Sequence, residues 1–219
     1  MQTSHTIGKS VNTIDQVDAE LRPLLEQFNP IVPYITQQNL PKVRDFLDSV
    51  VAHRPAYGTT QADIVSIDTA AGPLDLYIYR GKKTAEKQPC LVWMHGGGYI
   101  MLHGNDTWFG PLFAERTGCT VVSVNYRLAP EHPFPAAHED CLTVLKQVYH
   151  HPREFGVDKQ KIALVGESAG GGLTAFLGLA ARDLAIPLTL QMMLYPVTDA
   201  RAYAPGSAVE PTASAVENA

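Results

Sequence analysis

A chain of 219 residues, 45% of them hydrophobic, is long enough to bury one substantial core. Its formal net charge of -5 argues against a nucleic-acid-binding surface. No apolar run approaches the ~20 residues that span a bilayer, the polar start Met1–Ser10 does not suit a secretory signal, and the sequence therefore predicts a cytoplasmic protein without a membrane partner.

The first fifty residues predict helices. Val43, Phe46, Leu47, Val50 and Val51 fall on one stripe at i, i+3, i+4, i+7 and i+8. Leu21, Leu24, Leu25 and Phe28 form an earlier stripe in a helix that begins near Pro23. After His53-Arg54-Pro55 the pattern changes to strands. Ala62–Asp68 and Leu74–Arg80 flank the turn Ala71-Gly72-Pro73. In the second, Leu74, Leu76 and Ile78 alternate with Asp75, Tyr77 and Tyr79, the period of two of a strand with unlike faces.

Continuous apolar runs follow at Cys90–Met94, Thr120–Val124, Ile162–Val165 and Leu188–Leu194. Helical stretches at 107–117, 136–149 and 169–184 separate them, the pattern of a parallel sheet covered on both faces. Cys90, Cys119 and Cys141 contain no CxxC pair and predict buried thiols, with neither a disulfide framework nor a zinc site. From Ala200 onward the chain is alanine-rich, with Pro205, Gly206 and Pro211 and no apolar stripe. The expected organisation is helices over 1–55, an α/β core over 56–199 and a low-complexity, disordered tail over 200–219.

Gly166-Glu167-Ser168-Ala169-Gly170 matches G-x-S-x-G, with a strand predicted directly before it. Leu173, Phe176, Leu177, Ala180 and Leu184 make a helical stripe directly after it. A sharp strand-to-helix turn between small residues pushes a serine hydroxyl out of the sheet, where a carbonyl can reach it. The helix N-terminus that follows favours developing negative charge. The bland alternative is a glycine-rich turn carrying a surface serine, and the strand–turn–helix setting disfavours it.

His95-Gly96-Gly97-Gly98-Tyr99 follows the run Leu91–Met94. Three glycines let the backbone approach a ligand and turn its N–H groups inward. Such donors can stabilise the oxyanion of a tetrahedral intermediate. A phosphate-cradling loop would instead want GK[ST], or G-x-G-x-x-G opening a helix, and neither follows. The two motifs lie on successive crossover units, so both can face the carboxyl rim of the sheet, where open α/β sheets bind ligands.

Together with the segment from Tyr126 to Ala136 (YRLAPEHPFPA) and with Leu194-Tyr195-Pro196, this series resembles the hormone-sensitive-lipase family of α/β-hydrolases, the bacterial family IV esterases, from about residue 15 to Asp199. The acidic residue before the serine, usually Asp in that family, is Glu167 here. The resemblance implies an α/β-hydrolase fold: a mostly parallel sheet with helices on both faces and an N-terminal helical cap. It implies Ser168 as nucleophile, the backbone N–H groups of Gly97, Gly98 and Ala169 as oxyanion hole, and His95 with Gly96 as support of the oxyanion loop. Arg127 and Glu131 become available for ion pairing in a structural loop. No metal or organic cofactor is implied. The implied partner is a small-molecule ester with a small to medium acyl group, since the cap is short.

A serine hydroxyl needs a base, and the base an orienting carboxylate. In this fold the chain order is Ser, then Asp or Glu, then His. All eight histidines (His5, His53, His95, His103, His132, His138, His150 and His151) precede Ser168. Asp199, at the end of a strand, is expected to be a loop aspartate, and His132 and His138 to be surface or core side chains. The sequence thus predicts a hydrolase lacking its last strands, a poor esterase with an apolar sheet edge open to pairing with another copy. A carboxylate-binding protein without turnover, and an inactive esterase fragment, are the alternatives.

Overall fold

The two kinds of apolar pattern in the sequence, striped and continuous, become different layers of the molecule. A computed structural model describes residues 19–20, 22–23, 26, 35–53, 58–82, 86–105 and 108–199. The stripe Leu21, Leu24, Leu25 and Phe28 and the segment 200–219 lie outside the described residues. The chain divides into two units, Met1–Phe46 with Asp199–Ala219, and Leu47–Thr198. Helix α1 (Leu40–Ala52) carries the second predicted stripe. Val43 is buried and Phe46, Leu47, Val50 and Val51 are half-buried, while Pro41, Lys42, Asp45, Asp48 and Ser49 are exposed.

The unit Leu47–Thr198 is built on six strands: β1 (Ala62–Thr69), β2 (Gly72–Arg80), β3 (Gln88–Met94), β4 (Thr120–Val124), β5 (Val157–Glu167) and β6 (Leu190–Leu194). Their order in the sheet is β1-β2-β4-β3-β5-β6. The hairpin β1–β2 is antiparallel and β2 runs antiparallel to β4. The pairs β4–β3, β3–β5 and β5–β6 are parallel. Each parallel step is crossed by helix: α2 (Phe109–Thr117) between β3 and β4, α3 (Ala136–His150) and the short α4 (Pro152–Phe155) between β4 and β5, and α5 (Ala169–Asp183) between β5 and β6.

Alternate side chains of the continuous strands serve opposite cores. Cys90, Val92, Met94, Val122, Val124, Ile162 and Leu164 join Cys141, Val144 and Leu145 of α3 and Leu173 and Leu177 of α5. Leu91, Trp93, Val121 and Val165 face the other way, onto Phe109 and Ala114 of α2. There Trp93 stacks on Phe109, and Phe109 on Phe113, each at 3.8 Å between ring centroids. Each fully buried aliphatic or aromatic side chain contributes about 1.5–3 kcal/mol, so a strand buried on both faces stays apolar throughout.

Two strand limits differ from the sequence expectation. Strand β5 extends back to Val157 through the polar run 158–161, because Val157 still pairs with Gln88. Strand β6 begins at Leu190, the residue paired with Ala163, rather than at Leu188. Pro187 offers no N–H to a ladder, and Leu188 packs against the core instead. For the site, one pairing matters most. Met94 at the end of β3 lies opposite Gly166 near the end of β5, so the two glycine motifs leave the sheet side by side.

Candidate active site

Ser168 has φ 50° and ψ -117°, a conformation that L residues rarely adopt. Such strain persists only where the surroundings over-determine it, and here the backbone is held from both sides. The Ser168 N–H donates to the Leu194 carbonyl at 2.9 Å. The Ser168 carbonyl accepts from the N–H groups of Val197 at 2.9 Å and Gly172 at 3.1 Å. The flanking glycines are required by space. A Cβ on Gly170 would collide with the carbonyl oxygens of Met94 and His95, and one on Gly166 with the Gly170 carbonyl. Ser168 makes no side-chain capping bond to α5, at whose N-terminus it stands.

The loop after β3 turns by torsion and by close passage: a Cβ on Gly97 would collide with the Met101 carbonyl oxygen. Gly97 has φ 105° and Gly98 φ 63°. The Gly97 carbonyl accepts from the N–H groups of Ile100 and Met101, each at 3.1 Å. Among the described residues the N–H groups of Gly97 and Gly98 meet no acceptor. A Cβ built on Gly96 would sit 3.4 Å from the Ser168 Cβ and 3.2 Å from the Glu167 Cγ, so the two motifs pass close together at Gly96 with room for no more than an ordinary side-chain stem.

The imidazole of His95 is buried and stacks on the Tyr126 ring, with centroids 4.1 Å apart and an interplanar angle of 6°. In the Nδ1–H tautomer it donates to the Gly96 carbonyl at 2.7 Å. The Tyr126 hydroxyl donates to the His95 carbonyl at 2.7 Å. Burial pushes the His95 imidazole down to about 4, against the opposing pull of the Gly96 carbonyl. At neutral pH it is therefore an uncharged prop. Further along, Ala129 N–H donates to the Tyr99 carbonyl at 2.8 Å, and Ser123 and Asn125 side chains hold both backbone polar groups of Gly104.

A family model described as alpha/beta hydrolase fold matches residues 91–217. The chain belongs to the alpha/beta hydrolase fold family. This α/β-hydrolase is 35% identical over 195 residues to the esterase LipI of Mycobacterium tuberculosis, covering 85% of this chain and 60% of LipI. It is 40% identical over 133 residues to an ethyl acetate hydrolase of Pseudomonas putida, covering 58% of this chain and 41% of that protein. The solved structure of a hyperthermophilic esterase from the archaeon Pyrobaculum calidifontis superposes with a TM-score of 0.72 at 32% identity, covering 82% of this chain and 59% of that one. The chain thus spans about 60% of the length of LipI and less of the ethyl acetate hydrolase.

Sequence reasoning placed the two motifs but missed their props. Arg127, expected to be available for ion pairing, grips Asp140. Its Nε donates to Oδ1 at 3.0 Å and Oδ2 at 2.9 Å, and its backbone N–H donates to Oδ2 at 2.9 Å. The available signal was Asp140 itself, a carboxylate within the apolar stripe of α3 and only 2% exposed. Tyr126 and Tyr195 were noted only as motif letters. His132 is exposed, whereas His138 lies among the rings of Tyr99, Phe134 and Phe176. A cavity of about 650 Å³ lined by Lys87, Arg153 and Lys159 opens at the amino ends of β3 and β5, away from Ser168. Among the described residues no group of three or more His, Cys, Asp or Glu could hold a metal, and no helix is long and apolar enough to cross a membrane.

Proposed function

We propose that Ser168 is the nucleophile of a carboxylic ester hydrolase acting on small-molecule esters with small to medium acyl groups. The observation that supports this reading is the close approach of Gly96 to Ser168, beside two backbone N–H groups, of Gly97 and Gly98, that meet no acceptor among the described residues. Attack by Ser168 Oγ on the ester carbonyl, with its proton passing to solvent water, forms a tetrahedral oxyanion. The N–H groups of Gly97, Gly98 and Ala169 receive that charge, an arrangement in which one donor is worth about 3 kcal/mol. Collapse expels the alkoxide, which leaves as the alcohol by taking a proton from solvent, and the acyl-enzyme that remains is hydrolysed by water to the free acid and Ser168. His95 does not serve as the base for Ser168: its Nε2, the atom that would accept the proton, is buried without a hydrogen-bond partner among the described residues, and its ring is stacked on Tyr126. The likeness to an enzyme named for ethyl acetate supports a short acyl group.

Release of p-nitrophenol from acetate, butyrate and longer p-nitrophenyl esters tests the proposal. We expect the short esters to be turned over fastest and Ser168→Ala to abolish the enzymatic part. Equal rates for Ser168→Ala and the parent protein would overturn it.

A further inference from the structure

The segment Leu194–Val197, just past β6, fixes where Ser168 stands. Leu194 accepts the Ser168 N–H, and Val197 donates to the Ser168 carbonyl. The same segment lies against the start of α5: a Cβ on Gly171 would be 2.8 Å from Pro196 Cα, and one on Gly172 2.7 Å from the Val197 carbonyl oxygen. Between these contacts sits Tyr195, at φ 38°. A tyrosine in the left-handed region is held there by something.

Core packing does not hold it, because the Tyr195 side chain is 70% exposed. Its hydroxyl instead donates to Glu167 Oε2 at 2.6 Å, the short, charge-assisted kind of hydrogen bond. That bond also pushes the phenol up to about 12, so it remains a donor through the physiological range. Glu167 directly precedes Ser168, and its methylene lies 3.2 Å from where a Gly96 Cβ would be. One side chain thus runs beside the Gly96–Gly98 loop with its carbon stem and meets Tyr195 with its oxygen. An aspartate at 167 would be one C–C bond shorter and could not make both contacts.

We infer that Tyr195, acting through Glu167, is a positioning residue that sets the spacing between Ser168 and the Gly96–Gly98 loop. The role rests on the reading of Ser168 as the reacting group, and the geometric link can be tested without it. The experiment compares the parent protein with Tyr195→Phe, Glu167→Asp and Glu167→Gln. Hydrogen–deuterium exchange of the peptides covering 95–101, whose Ile100 and Met101 N–H groups donate to the Gly97 carbonyl, and 166–172 is the deciding readout. The second-order rate of phosphonylation by a fluorophosphonate is measured alongside.

Loss of one charge-assisted bond should speed exchange in both peptides about tenfold in Tyr195→Phe and Glu167→Asp, with β3 and β4 unchanged. Glu167→Gln keeps an acceptor for the phenol and should recover most of the protection. Parent-like exchange in the two peptides of Tyr195→Phe overturns the inference, and so does faster exchange spread equally over β3 and β4. A parent protein whose Ser168 does not label, while the two peptides respond as described, overturns the nucleophile reading and leaves the Tyr195 link standing.

Discussion

The two glycine motifs leave neighbouring strands at paired residues, Met94 and Gly166, yet they are held in place by different physics. The elbow around Ser168 is a packing solution. Its glycines exist because backbone passes against backbone, and a methyl group on Gly170 would meet two carbonyl oxygens that cannot swing aside. The loop at Gly96–Gly98 shares one such contact, of Gly97 with the Met101 carbonyl, but adds a polar solution. It turns on positive φ at Gly97 and Gly98 and is propped by a buried imidazole, a buried phenol and the segment that Arg127 and Asp140 lock. Damage to the elbow should therefore be steric and indifferent to pH. Damage to the loop should be electrostatic and sensitive to acid.

Gly170→Ala should have the largest effect. Overpacking of backbone against backbone costs about 3 kcal/mol or more, which is a fall of roughly 10 °C in Tm for a chain of this size. Thermal melts at pH 5 and pH 8 should show the same fall at both. A variant melting within about 2 °C of the parent would break the steric half of the comparison.

Arg127→Ala strands a carboxylate that is 2% exposed. Breaking a buried pair typically costs about 3–5 kcal/mol, and the partial exposure of Arg127 puts this case near the lower end. Urea unfolding at pH 7 measures it. A loss under about 1 kcal/mol would show that Asp140 finds other partners and that the segment from Tyr126 to Ala129 does not depend on this grip.

Acid sharpens the contrast further. His95 is held down to about 4 from its ordinary 6.5, so its neutral form is favoured in the folded protein. Its contribution is fully present above pH 6.5 and is lost as pH falls through 4. At about 1.4 kcal/mol per unit, the loss approaches roughly 3 kcal/mol over that window. The measurement is the pH dependence of urea unfolding in the parent and in His95→Asn, whose amide can still reach the Gly96 carbonyl. The slope between pH 6.5 and 4 should flatten in the variant. An unchanged slope would assign acid sensitivity to other groups, of which His138, also pushed down by burial, is the first candidate.

Tyr126→Phe should have the smallest effect. It removes the bond from the phenol to the His95 carbonyl and keeps the ring stack, a loss of about 1 kcal/mol. A loss of 3 kcal/mol or more would mean that the hydroxyl, rather than the stack, carries the prop.

The strands, the crossover helices and both motifs were legible in the sequence because each is a local pattern. Apolar runs, a helical stripe and clustered glycines need only neighbours along the chain. What stayed hidden was the set of bonds that closes the site. Tyr126 reaches back to His95, Tyr195 to Glu167, and Arg127 forward to Asp140. None of these follows from periodicity, because each depends on how two loops meet at the rim of the sheet. Asp140 came nearest to being readable, since a charge in an apolar stripe demands a partner. The start of β6 was missed for a simpler reason: the leucines on both sides of Thr189 look alike in sequence, and only pairing with β5 separates Leu188 from Leu190.

The central claim is that the elbow presents a reactive serine beside the oxyanion loop. Exhaustive treatment of the folded protein with a fluorophosphonate, followed by peptide mass spectrometry, tests it most directly. The account predicts one adduct, on Ser168, and none in Ser168→Ala. An unmodified Ser168 in folded protein, or an adduct that persists in Ser168→Ala, would contradict it.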